Sequence, residues 1–472
     1  MKKIFTLFAI ILIHLGVRAQ AWVELGTGPH ALNANYSIFA LLSDPSGRIY
    51  AAGGFTDSAT YISGSAYVAV WIDTAWLTLG GDSTGALNAN NSIYCLTRDA
   101  LSGSIYATGN FTDGNGRQYV AKWDGGGWSE VGVDTAGLNA TGPIYALTTD
   151  LAGNVYAAGS FTDLPFGYGY YYVAEWNGHW SELGLDTTGG LRADSSIYAL
   201  ATGKHGSIYA AGAFTDSLGY NYVAKWNGTN WSEVGNDSSH LNANGSIRTI
   251  ITDTAGHLYV AGDFTDSLGY YAIEKWNDSV WVELSNPNTN QVNLNGPINA
   301  LTLDSVGNVY AAGMLSDTSG NFYFVAVWNG SQILTVDNYG TAPLQANDFI
   351  YAMASDKYGN VYTAGNFTDA NAYKFVAEFT GNIPEGIATV NTDRLHIYPN
   401  PASGLINIQA DGLSGTAAIQ VLDALGRIIY TVSSEGSTIS TQIDISGYSP
   451  GVYTLLVSDG ANTAMAGRIV KE

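Results

Sequence analysis

The chain has 472 residues and carries 18 Lys and Arg against 40 Asp and Glu, a formal net charge of −22. That balance excludes a nucleic-acid binder, whose phosphate contacts need clustered Lys and Arg, and mainly keeps the protein soluble. The single cysteine, Cys95, excludes intrachain disulfides.

Residues 1–19 read as a secretory signal peptide. Lys2 and Lys3 form a basic start, Ile4 to Leu15 an apolar run shorter than the usual membrane span, and Val17-Arg18-Ala19 a small-x-small cleavage site. Cleavage after Ala19 removes three basic residues and no acidic ones, which moves the formal charge from −22 to about −25 by counting.

From residue 20 to 383 one pattern recurs seven times. Each copy opens on Leu32, Leu87, Leu138, Leu191, Leu241, Val292 or Leu344, spaced 50 to 55 residues apart. Within a copy, four runs rich in Tyr, Ile, Val and Trp are bounded by turn residues and have strand composition; in the third copy they are 144–148, 154–159, 171–176 and 180–184. Asp150 to Gly153 makes a compact turn between the first and second runs, where Gly can supply a positive backbone angle. In the fourth copy Gly203 replaces the Asp, which marks the element as a turn device rather than a catalytic ring. Asn177-Gly178, Asn227-Gly228, Asn329-Gly330 and Asp124-Gly125 make hairpin turns between the third and fourth runs. Four antiparallel strands repeated seven times predict an all-β fold, a seven-bladed β-propeller.

Further features fit that architecture. Ile93-Tyr94-Cys95-Leu96 is apolar on both faces, as an inner strand sandwiched between sheets requires. Cys95 stands where Ala146 and Ala199 stand in other copies, and so reads as a small buried residue. Ala158-Gly159, Ala211-Gly212, Ala261-Gly262 and Ala364-Gly365 predict close approach of neighbouring blades, and Trp71, Trp123, Trp176, Trp226, Trp276 and Trp328 predict packing between them. The seventh copy ends after Phe379 without a fourth run, while Trp22-Val23-Glu24-Leu25-Gly26 resembles Trp180-Ser181-Glu182-Leu183-Gly184. The N-terminal run is therefore expected to complete the last blade and close the ring.

The period stops after 383. Residues 384–392 read as a linker, and 393–472 as a small Ig-like β-sandwich with strands at 405–409, 418–422, 427–431, 441–445 and 452–457. Tyr398-Pro399-Asn400-Pro401, Val421-Leu422-Asp423 with Leu425-Gly426-Arg427, the pair Ile443 and Ile445, Gly451-Val452-Tyr453, and Gly467 to Lys471 follow in order. In these motifs, roughly residues 390–472 resemble the type A C-terminal sorting domain of the type IX secretion system. The resemblance implies Pro399, Asn400, Pro401, Gly426, Arg427, Gly451 and Tyr453 as the sorting motif. It also implies a partnership with that secretion machinery, and a product released or anchored on the outer cell surface after passing through the periplasm. It says nothing of what the repeats do.

A site is expected on the face that carries the longer connections, those between second and third strands and from each blade to the next. That face is expected to present Phe-Thr-Asp at 55–57, 111–113, 161–163, 214–216, 264–266 and 367–369. The candidate ligand-binding residues are Asp57, Asp113, Asp163, Asp216, Asp266, Asp369, Asn35, Asn90, Asn244, Asn347, Tyr168 and Tyr220. Two readings stay open. The Thr and Asp side chains cap local turns, or the ring binds an extracellular glycan or another repetitive ligand, with Ca²⁺ as the one cofactor its oxygen ligands suit. His30, His179, His205, His240, His257 and His396 share no repeat position, and neither a nucleophile elbow nor a phosphate-cradling loop is present in the sequence. The expectation is a binding or adhesion propeller rather than an enzyme; the alternative is a polysaccharide-active hydrolase or lyase, which needs unlike carboxylates.

Overall fold

The computed structural model describes residues 21–56, 65–72, 74–81, 85–133, 136–162, 169–184, 189–235, 239–284, 294–316, 323–330, 332–336, 343–380, 395–422, 428–458 and 464–471. The signal peptide and the linker lie outside these residues.

Seven four-stranded antiparallel sheets make up the repeat region. Their first strands are Ile38–Ser43, Ile93–Arg98, Ile144–Thr149, Ile197–Thr202, Ile247–Thr252, Ile298–Leu303 and Ile350–Ser355, which define blades 1 to 7. Each first strand lies beside the first strand of the next blade, and Ile350–Ser355 lies beside Ile38–Ser43, so the blades form a closed ring. Blade 7 is completed by Ala21–Glu24, which pairs antiparallel with Lys374–Thr380 in the register Trp22 to Phe379. The two rings sit 5.3 Å apart, and Trp22 is only 6% exposed.

The turns are held as their residue types require. Asp150 accepts the amides of Ala152 and Asn154 at 2.9 Å and the Tyr156 hydroxyl at 3.0 Å. One carboxylate thus fixes the turn and satisfies the phenol of a buried tyrosine. Asp304 does the same for Tyr310, whose ring is fully buried.

Between blades, an indole bridges five of the seven steps. Trp76, Trp128, Trp180, Trp231 and Trp281 donate Nε1 to the carbonyls of Leu25, Leu79, Val131, Leu183 and Val234 at 2.7 to 3.1 Å. The Trp at the end of the third strand also packs across the boundary: a Cβ added to Gly132 would come within 2.8 Å of the Trp176 ring. The Ala-Gly pairs divide their work. Ala158 shares a core cluster with Ile197 and Leu200 of the next blade, which is the close approach expected. The glycine serves its own blade instead, because a Cβ on Gly159 would lie 2.1 Å from the Pro143 carbonyl, where the first two strands break register in a bulge.

Residues 395–471 form a separate sandwich around Ile406, Ile408, Ile419, Val421, Ile439, Ile443, Leu455 and Ile469. The runs expected at 405–409 and 418–422 belong to one long strand, Leu405–Leu422, paired along its length with Ile428–Asp444. A register break between Asp411 and Gly415 divides this ladder, and the first part of Leu405–Leu422 pairs on its other side with Leu395–Tyr398, the last part with Gly451–Ser458.

Candidate functional site

Strands that start at the ring axis bring their second residues together around it. These are Phe39, Tyr94, Tyr145, Tyr198, Arg248, Asn299 and Tyr351, one per blade, and they line an axial cavity of about 370 Å³ with Ser246 and Asp263. Tyr351, Phe39, Tyr94, Tyr145 and Tyr198 form a continuous arc with neighbouring ring centroids 5.4 to 5.8 Å apart. Tilted and edge-on contacts of this kind are the favoured arrangement of aromatic quadrupoles.

Blades 5 and 6 break the arc with a polar sector. Arg248 donates Nε to Asp263 Oδ1 at 2.8 Å and Nη1 to Asn299 Oδ1 at 3.1 Å, and Asn299 donates to the Ile350 carbonyl at 2.9 Å. Two of the five guanidinium donors are thereby engaged; the other three find no acceptor among the described residues. Burial, joined by the neighbouring Tyr145, raises the Tyr94 and Tyr198 hydroxyls above the usual phenol range, and burial with the nearby Asp348 raises Tyr351. These hydroxyls stay neutral donors and acceptors at any physiological pH.

The cavity lies where the first strands begin and the second strands end, hence on the face of the longer connections. On the same face the candidate asparagines clasp their own blades. Asn35, Asn90, Asn244 and Asn347 each donate to the hydroxyl of Thr56, Thr112, Thr265 or Thr368 at 3.0 Å, and accept that threonine's amide at 2.8 to 2.9 Å. Asp194 takes this place in blade 4.

The candidate aspartates close turns. Asp113, Asp216, Asp266 and Asp369 each accept two backbone amides, two and four residues on, at 2.8 to 3.0 Å. For Asp113 the Arg117 amide, then that of Asn115, holds the carboxyl below the usual carboxylate range. Tyr220 is exposed beside Asp216, while Asp57, Asp163 and Tyr168 lie outside the described residues. Each clasp and turn is thus satisfied within one blade. Asp113 also borders a second recess of about 160 Å³ with Tyr119, Trp128 and Glu130. The phenylalanines of the Phe-Thr-Asp triplets are not presented on the face; Phe55, Phe111, Phe161, Phe214 and Phe367 are core residues, at most 1% exposed. Among the described residues no group of three or more His, Cys, Asp or Glu side chains converges as a metal site. Burial pushes the Cys95 thiol up to about 11, which disfavours the thiolate at neutral pH.

Sequence reasoning passed over the axial ring because Tyr94 looked like one more apolar residue of an inner strand. A signal was available: at the second position of the first strand, the aromatic of the other copies becomes Arg248 in copy five and Asn299 in copy six.

In the tail, Asn400 accepts the Val470 amide at 2.8 Å, and the Ala402 amide donates to the Val470 carbonyl at 2.9 Å. The Pro399 to Pro401 segment is thereby tied to the last strand. Tyr453 donates its hydroxyl to the Ser449 carbonyl at 2.8 Å, and Gly451 opens that strand. Gly426 and Arg427 lie outside the described residues.

Residues 396–472 match the secretion system C-terminal sorting domain. No curated protein sequence matches the chain. Among solved structures, the chain is similar to PorZ, a surface component of the type IX secretion system of Porphyromonas gingivalis, at 15% identity and a TM-score of 0.49. That alignment covers 93% of this chain and 59% of PorZ, so the chain spans less than two thirds of that protein's length. It is also similar to the Aleuria aurantia lectin, at 10% identity over 65% of this chain and 96% of the lectin, with a TM-score of 0.39. A gluconolactonase from Xanthomonas campestris aligns at 12% identity over 76% of this chain and all of its own, with a TM-score of 0.35. At these scores the alignments carry no argument about activity.

Proposed function

We propose that this propeller, which its type IX sorting domain directs to the cell surface, works there as a binding module for an extracellular glycan, and that the axial cavity is where the ligand sits. The observation that supports this reading is the cavity's composition, five aromatic rings facing Arg248, Asp263 and Asn299. Small-molecule sites are typically concave, largely apolar and oriented by a few polar groups. At about 370 Å³ the cavity falls at the lower end of the roughly 300–1,000 Å³ usual for such sites. The satisfied clasps and turns around it hold the loops on which a larger ligand would rest, and any Ca²⁺ at the turns would find Oδ1 of Asp113, Asp216, Asp266 and Asp369 already accepting amides, with the second carboxylate oxygen left to it.

The test is a polysaccharide and glycan array, with and without Ca²⁺, followed by incubation of every hit with the protein and analysis for shortened or unsaturated products. Binding without product is expected. Product formation would replace this reading with a hydrolase or lyase. Loss of binding in Tyr145→Ala, with the fold intact by circular dichroism, is expected if the axial cavity is the site.

A further inference from the structure

We infer that the ligand of the axial cavity is an uncharged sugar, a mono- or disaccharide unit entering singly, rather than an acidic glycan or a cation. This rests on the reading of the cavity as the binding site and adds its chemistry.

Three ligand classes suit parts of the wall. An aromatic arc attracts cations through its ring faces, but the one carboxylate in the wall, Asp263, is already paired with Arg248, and the guanidinium hydrogens left over find no acceptor on a cation. Arg248 by itself suits a carboxylate or sulfate, yet its Nε is already paired with Asp263 at 2.8 Å, and Asp348 lies close enough to act on Tyr351. One cation against two anions leaves that neighbourhood at about −1, within a chain of net charge −22, so an anionic ligand meets repulsion at short and long range. An uncharged polyol meets neither penalty. Its hydroxyls donate to Asp263 and accept from the remaining guanidinium hydrogens, while the C–H face of a pyranose lies on the tyrosines. The phenols, kept neutral, add further donors and acceptors.

The position of the cavity sets the number bound. A pocket on the ring axis exists once per propeller, whereas the clasps and turns recur around it. Confining Arg248 and Asn299 to blades 5 and 6 also gives the ligand one preferred orientation. The site therefore reads the end of a glycan chain, or a short branch, rather than its repeat.

The test uses the secreted full-length chain and three probe sets: neutral disaccharides (lactose, maltose, cellobiose and an array of neutral glycan termini), digalacturonate with sulfated disaccharides, and trimethyl-lysine. Affinities are measured for the parent chain and for Arg248→Gln, Asp263→Asn and Tyr145→Ala, with circular dichroism melting to show that each variant folds. Arg248→Lys serves as a second probe of the same position. A neutral probe is expected to bind, with all three variants weakening it at least tenfold and with little change between roughly 0.05 and 0.5 M salt. If an acidic probe binds and Asp263→Asn tightens it, the inference is overturned while the cavity stands as the site. Binding of trimethyl-lysine by the parent chain, with loss in Tyr145→Ala, overturns it in the same way. Glycan binding that none of the three substitutions alters, or no binding by any probe, overturns the cavity reading itself.

Discussion

Replacing Trp22 with Phe separates two features that coincide at the seam of the ring. The indole is 6% exposed and packs tilted against Phe379, yet its Nε1 is buried with no acceptor among the described residues. Its counterpart Trp180 donates to the Val131 carbonyl at 2.7 Å. Phe removes a similar area at each position, about 40 Å², or about 1 kcal/mol at 25 cal/mol per Å². At Trp22 the change also removes an orphaned buried donor, whose desolvation costs about 1–3 kcal/mol. The net effect there runs from neutral to about 2 kcal/mol stabilising. At Trp180 it deletes a hydrogen bond worth about 1 kcal/mol, for a total loss of about 2 kcal/mol. Urea unfolding followed by far-ultraviolet circular dichroism reads both, since neither variant depends on the lost fluorophore in that signal. Trp22→Phe costing as much as Trp180→Phe would refute the account of the orphaned indole. Trp22→Ala is expected to cost about 3 kcal/mol, the low end for a core Trp; an unchanged midpoint would refute closure of the ring by this strand.

Glu274 stands in blade 5 where other blades carry Ala174 or Ala224, and burial, then Glu283 across the hairpin, raises its carboxyl to about 7. The folded value lies above the unfolded one, so its contribution is fully present below about pH 4.5 and is lost as pH rises through about 7, to a limit of about 3 kcal/mol. Glu274→Ala is expected to raise the urea midpoint at pH 8 and leave it nearly unchanged at pH 4. Asp304→Ala strips partners from three backbone amides, Asn308 Nδ2 and the Tyr310 hydroxyl; a loss of about 2–4 kcal/mol is expected by the same unfolding assay. Gly159→Ala, meeting the Pro143 carbonyl, is expected to lower the melting temperature far more than Gly114→Ala at an exposed turn, where φ is not positive and a Cβ meets nothing within 4 Å. Equal effects would refute the backbone contact as the reason for glycine at position 159.

The sequence by itself determined the strand composition, the seven copies, the orphan Trp22 run and the sorting motifs, because each is written in local spacing and residue type. Asp150 with Gly153 specifies a turn wherever it stands, and its repetition specifies a ring. Side-chain direction at the axis was decided only by the tertiary structure. Tyr94, Arg248 and Asn299 lie 154 and 51 residues apart along the chain and meet because seven inner strands converge. The same convergence distinguishes Ala158, which faces the next blade, from Gly159, which meets its own. Periodicity describes what neighbours along one chain segment share; a cavity on a symmetry axis is made by residues that are never neighbours along it.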